Sequence, residues 1–245
     1  MNLQERIEKT VIWIREQVES AGLKGVIVGL SGGIDSALAA CLMKEAFPNN
    51  SLAVILPIKS SKDSLTDARS LVDKIKIDSM LIDLSEHHER LLGDIVKEAG
   101  KKEAMLRITD ANLRARLRMS TIYSIASLYQ YMVIGTDNLA EIYTGYFTKF
   151  GDGACDILPL APLLKREVFE WAEYMGVPET ILRKAPSADL WENQTDEEEM
   201  GTTYEMIDKH LSGIAIPEKD KAIIESLHRR SEHKRNTPVA RPRFQ

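Results

Sequence analysis

Four short apolar runs alternate with helical patterns over the first 135 residues of the chain. The runs cover residues 26–30, 52–58, 80–84 and 131–135. Helices are predicted over residues 36–47, 64–75, 86–98 and 104–130. Because strands that alternate with helices favour parallel pairing, this order predicts an α/β fold built on an open, mostly parallel twisted sheet flanked by helices.

A glycine-rich turn joins the first run to its helix. Its residues are Gly29, Leu30, Ser31, Gly32, Gly33, Ile34, Asp35 and Ser36. Glycines let the backbone turn tightly and approach a ligand, and the free N–H groups of a first helical turn attract anions. The turn has neither the Gly-Lys-Ser/Thr ending of a Walker A loop nor the GxGxxG dinucleotide pattern. It predicts a phosphate site, and the alternative is an ordinary strand–helix turn whose aspartate is favoured by the helix dipole.

A second polar passage, from Gly135 to Glu141, follows the fourth run. If that strand lies beside the first, both loops open at the carboxyl edge of the sheet, where open α/β sheets bind ligands. Asp35 and Glu141 could then approach one Mg²⁺ from two sides, because this cation prefers oxygen ligands. For Glu141 taken alone, the simpler interpretation is an exposed helix glutamate.

Two sequence passages resemble known families. The residues SGGIDS at 31–36, placed after a first strand, resemble the loop of the ATP pyrophosphatase (PP-loop) superfamily. The residues TGYFTKFGDGACDILPL at 144–160 resemble the NAD synthetase family almost residue for residue. The similarity extends from about Gly25 to Pro238, and Ile34 stands where many relatives have glutamine. It implies a Rossmann-like, adenine nucleotide alpha hydrolase-like sheet.

The resemblance also implies roles for individual residues. It places ATP against the glycine-rich turn, Thr136, Lys165 and Ser187. It gives catalytic roles to Asp35, Glu141 and Lys165, and it assigns Mg²⁺ to the two carboxylates. It assigns the contacts with deamido-NAD to Arg116, Lys149, Asp156, His233 and Lys234. Without the resemblance, Lys165 is equally well a solvated lysine that begins a helix, Arg116 an ion-pairing helix residue, and the tail a disordered basic end.

The activity that the resemblance implies is the amidation of deamido-NAD to NAD with ATP as co-substrate. An adenylated intermediate would form, and AMP and pyrophosphate would be released. Fewer than 30 residues precede the glycine-rich turn, so no amidase domain fits there and free ammonia is the expected nitrogen donor. The family forms homodimers, which we expect here too. The rival interpretations are another PP-loop ligase and a non-catalytic ATP-binding module.

The remaining features bound the setting of this chain. Its 245 residues suit a single domain over 1–245, with a mobile loop at about 184–201 and a flexible tail at about 232–245. The net charge of −5 argues against nucleic acid as a partner. No apolar run approaches the roughly 20 residues that span a bilayer. Cys41 and Cys155 lack metal-ligand spacing, which favours a reduced, cytoplasmic location.

Overall fold

The computed structural model describes residues 1–100, 103–187 and 195–243. Within these residues, one sheet contains β1 Gly25–Gly29, β2 Ser51–Ile55, β3 Asp78–Leu81 and β4 Tyr131–Val133, in the order β3-β2-β1-β4. Every pairing between these strands is parallel. The predicted α/β class and parallel sheet are therefore confirmed, and so is the placement of the fourth strand beside the first.

Helices connect and flank the strands. They are α1 Leu3–Ser20, α2 Ile34–Ala46, α3 Lys62–Ile75, α4 Ser85–Ala99, α5 Glu103–Tyr129, α6 Leu139–Thr144, α7 Lys165–Tyr174, α8 Glu179–Leu182, α9 Asp196–Met200, α10 Tyr204–Leu211, α11 Glu218–Arg230 and α12 Glu232–Arg235. Among the residues that the structure describes, no helix combines the length and apolar character needed to cross a membrane.

The sheet has a hydrophobic core on each face. Successive side chains of β1 alternate between the faces, as a strand requires: Val26 and Val28 join the core formed with α1, α2 and α7, while Ile27 joins Ile125 of α5 in the other. A third cluster, which includes Ala140 of α6, Tyr204 and Ile207 of α10 and Ile224 of α11, fixes the C-terminal helices against α6. Both sheet faces are thus covered, and the carboxyl edge carries the polar loops.

Two segments that were expected to be irregular contain helix. The stretch 184–201 was expected to be an exposed loop, but α9 forms within it. The Thr195 side chain accepts a hydrogen bond from the Glu198 N–H, and the acidic residues of the first turn suit the positive end of the helix dipole. Asp196 and Met200, one helical turn apart, are buried. The expected flexible tail likewise begins with α12. Residues 188–194 and 244–245 of these two segments lie outside the described part of the chain.

Candidate active site

A cavity of about 850 Å³ opens at the carboxyl ends of β1 and β4. The connections from these two adjacent strands leave in different directions, since β2 and β3 lie on one side of β1 and β4 on the other. Such a divergence leaves a crevice in which open α/β sheets bind ligands. The cavity wall includes every residue of the glycine-rich turn except Gly32, together with Thr136, Asp137, Glu141 and Ser187. The two passages that the sequence singled out therefore meet at one place.

The glycine-rich turn is held by its own serines. The Ser36 hydroxyl donates to the Gly33 carbonyl at 3.0 Å and lies 3.0 Å from the Ser31 hydroxyl, which accepts the Gly33 N–H at 3.2 Å. Gly32 has a φ of +85°, and a Cβ there would lie 2.3 Å from the Ser64 carbonyl oxygen. Gly33 caps α2 without any side-chain hydrogen bond. The first N–H groups of α2 are therefore available to an anion in the cavity.

An ammonium group joins the two predicted acidic residues. Lys165 Nζ lies 2.5 Å from Asp35 Oδ2 and 3.3 Å from Glu141 Oε1. The Lys165 side chain is only 3% exposed and lies behind the two carboxylates rather than among the residues of the cavity wall. The interpretation of Lys165 as a solvated lysine is therefore wrong, and so is that of Glu141 as an exposed helix residue, because its side chain is 13% exposed.

Asn138 connects the two carboxylates, and sequence reasoning missed it. Its Nδ2 donates to Asp35 Oδ1 at 2.8 Å. Its Oδ1 accepts the Glu141 N–H at 3.1 Å, while its own N–H donates to Glu141 Oε2 at 3.1 Å. This reciprocal pair is a capping box at the start of α6. An asparagine followed three residues later by glutamate is the signal that could have revealed it.

Residues from the C-terminal helices complete the acidic site. The Tyr204 hydroxyl lies 3.2 Å from Glu141 Oε1 and 3.1 Å from Asp196 Oδ2, and the Tyr204 ring lies 4.6 Å from Lys165 Nζ. The Tyr146 hydroxyl donates to Asp196 Oδ1 at 3.1 Å. The Asp208 carboxylate accepts a hydrogen bond from the backbone N–H of Lys165 at 3.0 Å and so caps α7. No local sequence signal identifies these contacts, because their partners are distant along the chain.

Burial and charge crowding shift the pKa values of this group. Burial, together with the charge of Asp35, raises the pKa of Glu141 to about 7, although Lys165 opposes the shift. Burial lowers the pKa of the Lys165 ammonium, but Asp35 and Glu141 outweigh it and hold that pKa above its usual range. Burial, followed by the charges of Asp152, Glu141 and Asp35, raises the pKa of Asp137. The acidic groups thus exceed what one lysine neutralises, and additional positive charge would be stabilised here.

The chemistry of this donor set fits Mg²⁺. Asp35 and Glu141 provide carboxylate oxygens at the cavity, and Mg²⁺ commonly binds one or two carboxylates together with water and substrate phosphates. Burial first, and then the charge of Asp35, raises the pKa of Glu141, and a divalent cation beside the two carboxylates would offset both effects. Within the described residues, no cluster of three or more His, Cys, Asp or Glu side chains forms a complete metal cage. The residues therefore suit an ion that completes its coordination with a substrate.

The five predicted deamido-NAD residues do not form one cluster. Arg116 Nη2 donates to the Lys149 carbonyl at 3.3 Å, and Lys149 Nζ donates to the His233 carbonyl, so these three residues lie together. Lys234 donates to the carbonyls of Gly145 and Phe147 at 2.7 and 2.6 Å and lines the cavity.

Asp156 lies apart from these contacts, beside β4. Its Oδ2 accepts the Val133 N–H at 2.8 Å, and its Oδ1 accepts the Tyr123 hydroxyl at 3.1 Å. Of the five predicted deamido-NAD residues, only Lys234 is part of the cavity wall.

Asn138→Ala is expected to impair both folding and ATP-dependent activity. Loss of the cap should lower the free energy of unfolding by about 1–2 kcal/mol, and loss of the Asp35 partner should reduce activity at least tenfold. Asn2 offers a matched control, since it forms the same capping box at the start of α1. Asn2→Ala should lower stability by about 1 kcal/mol and leave the activity of the folded protein unchanged. Urea unfolding and steady-state assays test both variants, and equal activity losses in the two would contradict this role.

A parallel sheet, a glycine-rich turn after its first strand and carboxylates at the crevice define a nucleotide-binding α/β protein of the PP-loop class. Comparison with known proteins identifies the family within this class. The NAD synthase family model matches residues 6–238. The chain is 56% identical over 241 residues to an NH(3)-dependent NAD(+) synthetase from Alkaliphilus oremlandii, covering 97% of this chain and 96% of that protein. A second such protein, from Alkaliphilus metalliredigens, is 54% identical over 242 residues, with 97% and 98% covered.

Solved structures agree with this result. The chain superposes on the NMN synthetase of Francisella tularensis with a TM-score of 0.94 at 41% identity, covering all of both chains. It superposes on the NH3-dependent NAD synthetase of Campylobacter jejuni with a TM-score of 0.79 at 30% identity, covering 99% of this chain and 100% of that one. The chain therefore belongs to the NAD synthase family, a family of ligases.

Proposed function

We propose that this protein amidates deamido-NAD to NAD, using ATP and ammonia and releasing AMP and pyrophosphate. One observation carries the proposal: the glycine-rich turn and the Asp35–Glu141 pair lie on one cavity at the carboxyl edge of the sheet. A phosphate cradle beside two largely buried carboxylates suits phosphoryl chemistry on ATP. The relatives that are named NH(3)-dependent NAD(+) synthetases support the choice of acceptor and nitrogen donor.

The proposed reaction has two steps. The nicotinate carboxylate of deamido-NAD attacks the α-phosphorus of ATP, and pyrophosphate leaves into the glycine-rich turn. Ammonia then attacks the carbonyl of the acyl adenylate, which gives NAD and releases AMP. The chain contributes chiefly position and charge: the N–H groups at the start of α2 receive the leaving group, and Lys165 holds the two carboxylates in place. Thr136 and Ser187, on the cavity wall, are proposed to contact ATP.

Asp35 and Glu141 are proposed to hold Mg²⁺. When bound, this ion supplies positive charge against the phosphate oxygens of ATP. Asn138 then orients both carboxylates, because it donates to Asp35 and caps the helix that carries Glu141. Removal of Mg²⁺ by a chelator is expected to abolish turnover. Turnover should return when Mg²⁺ is added back.

Arg116, Lys149, Asp156, His233 and Lys234 are proposed to bind the acceptor. The similarity to a protein named NMN synthetase raises a second candidate, in which the acceptor is nicotinate mononucleotide. The 56% and 54% identities to named NAD synthetases favour the dinucleotide. We expect kcat/KM to be at least tenfold higher with deamido-NAD, as measured with both acceptors at saturating ATP and ammonium. A preference for the mononucleotide would reassign the acceptor and leave the ATP chemistry in place.

Free ammonia is the proposed nitrogen donor. The most direct test compares ammonium with glutamine as the nitrogen source. The purified protein should form NAD with ammonium chloride. With glutamine at equal concentration it should show less than about 1% of that rate, because a binding site rejects a substrate that leaves the polar groups of the site unpaired. Ammonium-free glutamine is the necessary control. Glutamine-supported turnover at a comparable rate would contradict the proposal.

A homodimer is also proposed, following the family. The surface supports it, since Met105 and Ile108, three residues apart on α5, are each 54% exposed, and Leu128 near the end of the same helix is 82% exposed. Exposed apolar side chains clustered on one element often mark a contact with another chain. Light scattering should give about twice the mass of the chain, and a stable monomer would contradict the proposal.

A further inference from the structure

Lys184 lies on the cavity wall in a position that the proposed reaction has not yet used. It follows α8, and its backbone N–H donates to the carbonyl of Ile181, a core residue that is 1% exposed. Its side chain reaches α3, where Nζ lies 2.9 Å from Ser64 Oγ and 3.3 Å from Asp67 Oδ2. The backbone on one side and two buried partners on the other therefore fix the position of this ammonium group.

Ser64 connects Lys184 to the glycine-rich turn. Its carbonyl oxygen packs so closely against Gly32 that a Cβ there would lie only 2.3 Å away. The hydroxyl of the same residue accepts from Lys184. Ser64, Lys184 and the turn residues Ser31 and Gly33 all line the same cavity. The ammonium group thus stands beside the place that receives pyrophosphate in the proposed reaction.

Three other positive groups near the cavity have partners of their own. Lys165 lies behind Asp35 and Glu141. Arg118 donates to the Leu56 carbonyl at 3.0 Å, and Lys234 donates to two carbonyls of its own loop. An ammonium group has three N–H donors, and the contacts of Lys184 with the described residues occupy two of them. A side chain that is 32% exposed at the cavity can offer its third donor to a ligand.

From this placement we propose that Lys184 binds the β- and γ-phosphates of ATP, and the pyrophosphate formed from them, in the glycine-rich turn. Ser64 and Asp67 act as positioning residues that hold its ammonium group at the cavity. This inference rests on the proposed function, because it takes the turn to be the site of the leaving group. It assigns to Lys184 the cationic contact with the leaving group, while Lys165 organises the carboxylates.

The test measures the binding of three ligands to the whole protein by calorimetry in the presence of Mg²⁺. The ligands are ATP, inorganic pyrophosphate and AMP, which lacks the β- and γ-phosphates. For Lys184→Met we expect about tenfold to hundredfold weaker binding of ATP and pyrophosphate and no more than about a twofold change for AMP, as for the loss of one charged hydrogen bond. Lys184→Arg, which keeps the charge, should recover most of the affinity.

Lys62→Met is the matched control. Lys62 begins α3, the helix that carries Ser64 and Asp67, and it is exposed and not part of the cavity wall. Its replacement by methionine changes the net charge as much as Lys184→Met does, but it removes no contact at the cavity. It should leave all three affinities unchanged. Unchanged binding of ATP and pyrophosphate to Lys184→Met would overturn the proposal. An equal weakening of AMP binding would also overturn the proposal, because Lys184 would then only stabilise the structure of the neighbouring segment.

The proposed function is tested separately by assaying the unsubstituted protein for NAD and AMP. If that protein forms both products while Lys184→Met binds pyrophosphate normally, the role of Lys184 fails alone. If no NAD forms but Lys184→Met loses pyrophosphate binding, the acceptor assignment fails and the phosphate contact stands.

Discussion

Lys165→Met is expected to lower the free energy of unfolding by about 3–5 kcal/mol, because it leaves two carboxylates, which are only 18% and 13% exposed, without their cation. Lys165 Nζ lies 2.5 Å from Asp35 and 3.3 Å from Glu141, and its side chain is 3% exposed. A loss of this size is a large part of the stability of an ordinary domain, which is about 5–15 kcal/mol. ATP-dependent turnover should fall at least a hundredfold even in the folded fraction, since the carboxylates lose the group that positions them.

Lys209→Met provides the control for this prediction. Lys209 makes an ion pair of 2.6 Å with Glu205 within one helix, but the two side chains are 38% and 68% exposed. An exposed pair of this kind contributes only about 0.5 kcal/mol. Urea unfolding of both variants gives the comparison, and a similar loss in each would contradict the view that burial makes the Lys165 pair important.

The stability of Lys165→Met should depend on pH in a defined direction. The pKa of Glu141 is already raised from 4.5 to about 7 with Lys165 present, and it should rise further without that lysine. The folded variant then binds more protons than the unfolded chain, so its stability falls as pH rises from 4.5 through 7 and above. The destabilisation of Lys165→Met relative to the unsubstituted protein should therefore be smaller at low pH than at high pH. The opposite trend would contradict the assignment of the raised pKa of Glu141 to its burial and to the charge of Asp35.

Gly32→Ala is expected to have the second large effect, on both stability and ATP binding. The residue has a φ of +85°, and an added Cβ would lie 2.3 Å from the backbone oxygen of Ser64. Conformational strain of this kind costs about 1–3 kcal/mol, and the contact with backbone cannot be relieved by a rotamer change. The turn must shift, which moves the N–H groups that face the cavity. We expect at least tenfold weaker ATP binding in addition to the lower stability.

Gly213→Ala separates the effect of the positive φ from the effect of the close contact with Ser64. Gly213 has a similar φ of +73°, but a Cβ there would meet nothing within 4 Å. This variant should carry only the conformational cost, about 1 kcal/mol, and bind ATP normally. Calorimetric ATP binding and thermal unfolding check both variants. Normal ATP affinity in Gly32→Ala would show that the close approach to Ser64 does not set the shape of the turn.

The sequence contained the local parts of this site. The glycine-rich turn could be recognised because its function depends on neighbouring residues: three glycines, two serines and a following helix. The parallel order of the strands followed from their alternation with helices. The carboxylates of Asp35 and Glu141 could be paired on the assumption, now confirmed, that β1 and β4 are adjacent.

The long-range parts could not be predicted from local patterns. Lys165 was identified by resemblance, but its position behind the two carboxylates depends on how α7 packs against α2 and α10. Tyr204 contacts Glu141 across 63 residues, and no spacing rule connects them. The helix α9 was missed because its acidic run resembles a solvated loop, whereas Thr195 caps it and Asp196 and Met200 are buried. Tertiary contacts decided each of these cases.

Product stoichiometry tests the central claim most directly. The purified protein is incubated with ATP, Mg²⁺, deamido-NAD and ammonium chloride, and NAD, AMP and ADP are quantified over time. The proposal predicts one AMP for each NAD and no ADP, since ATP is cleaved between its α- and β-phosphates. Formation of ADP, or AMP release without NAD, would contradict it and indicate a different reaction at the same nucleotide site.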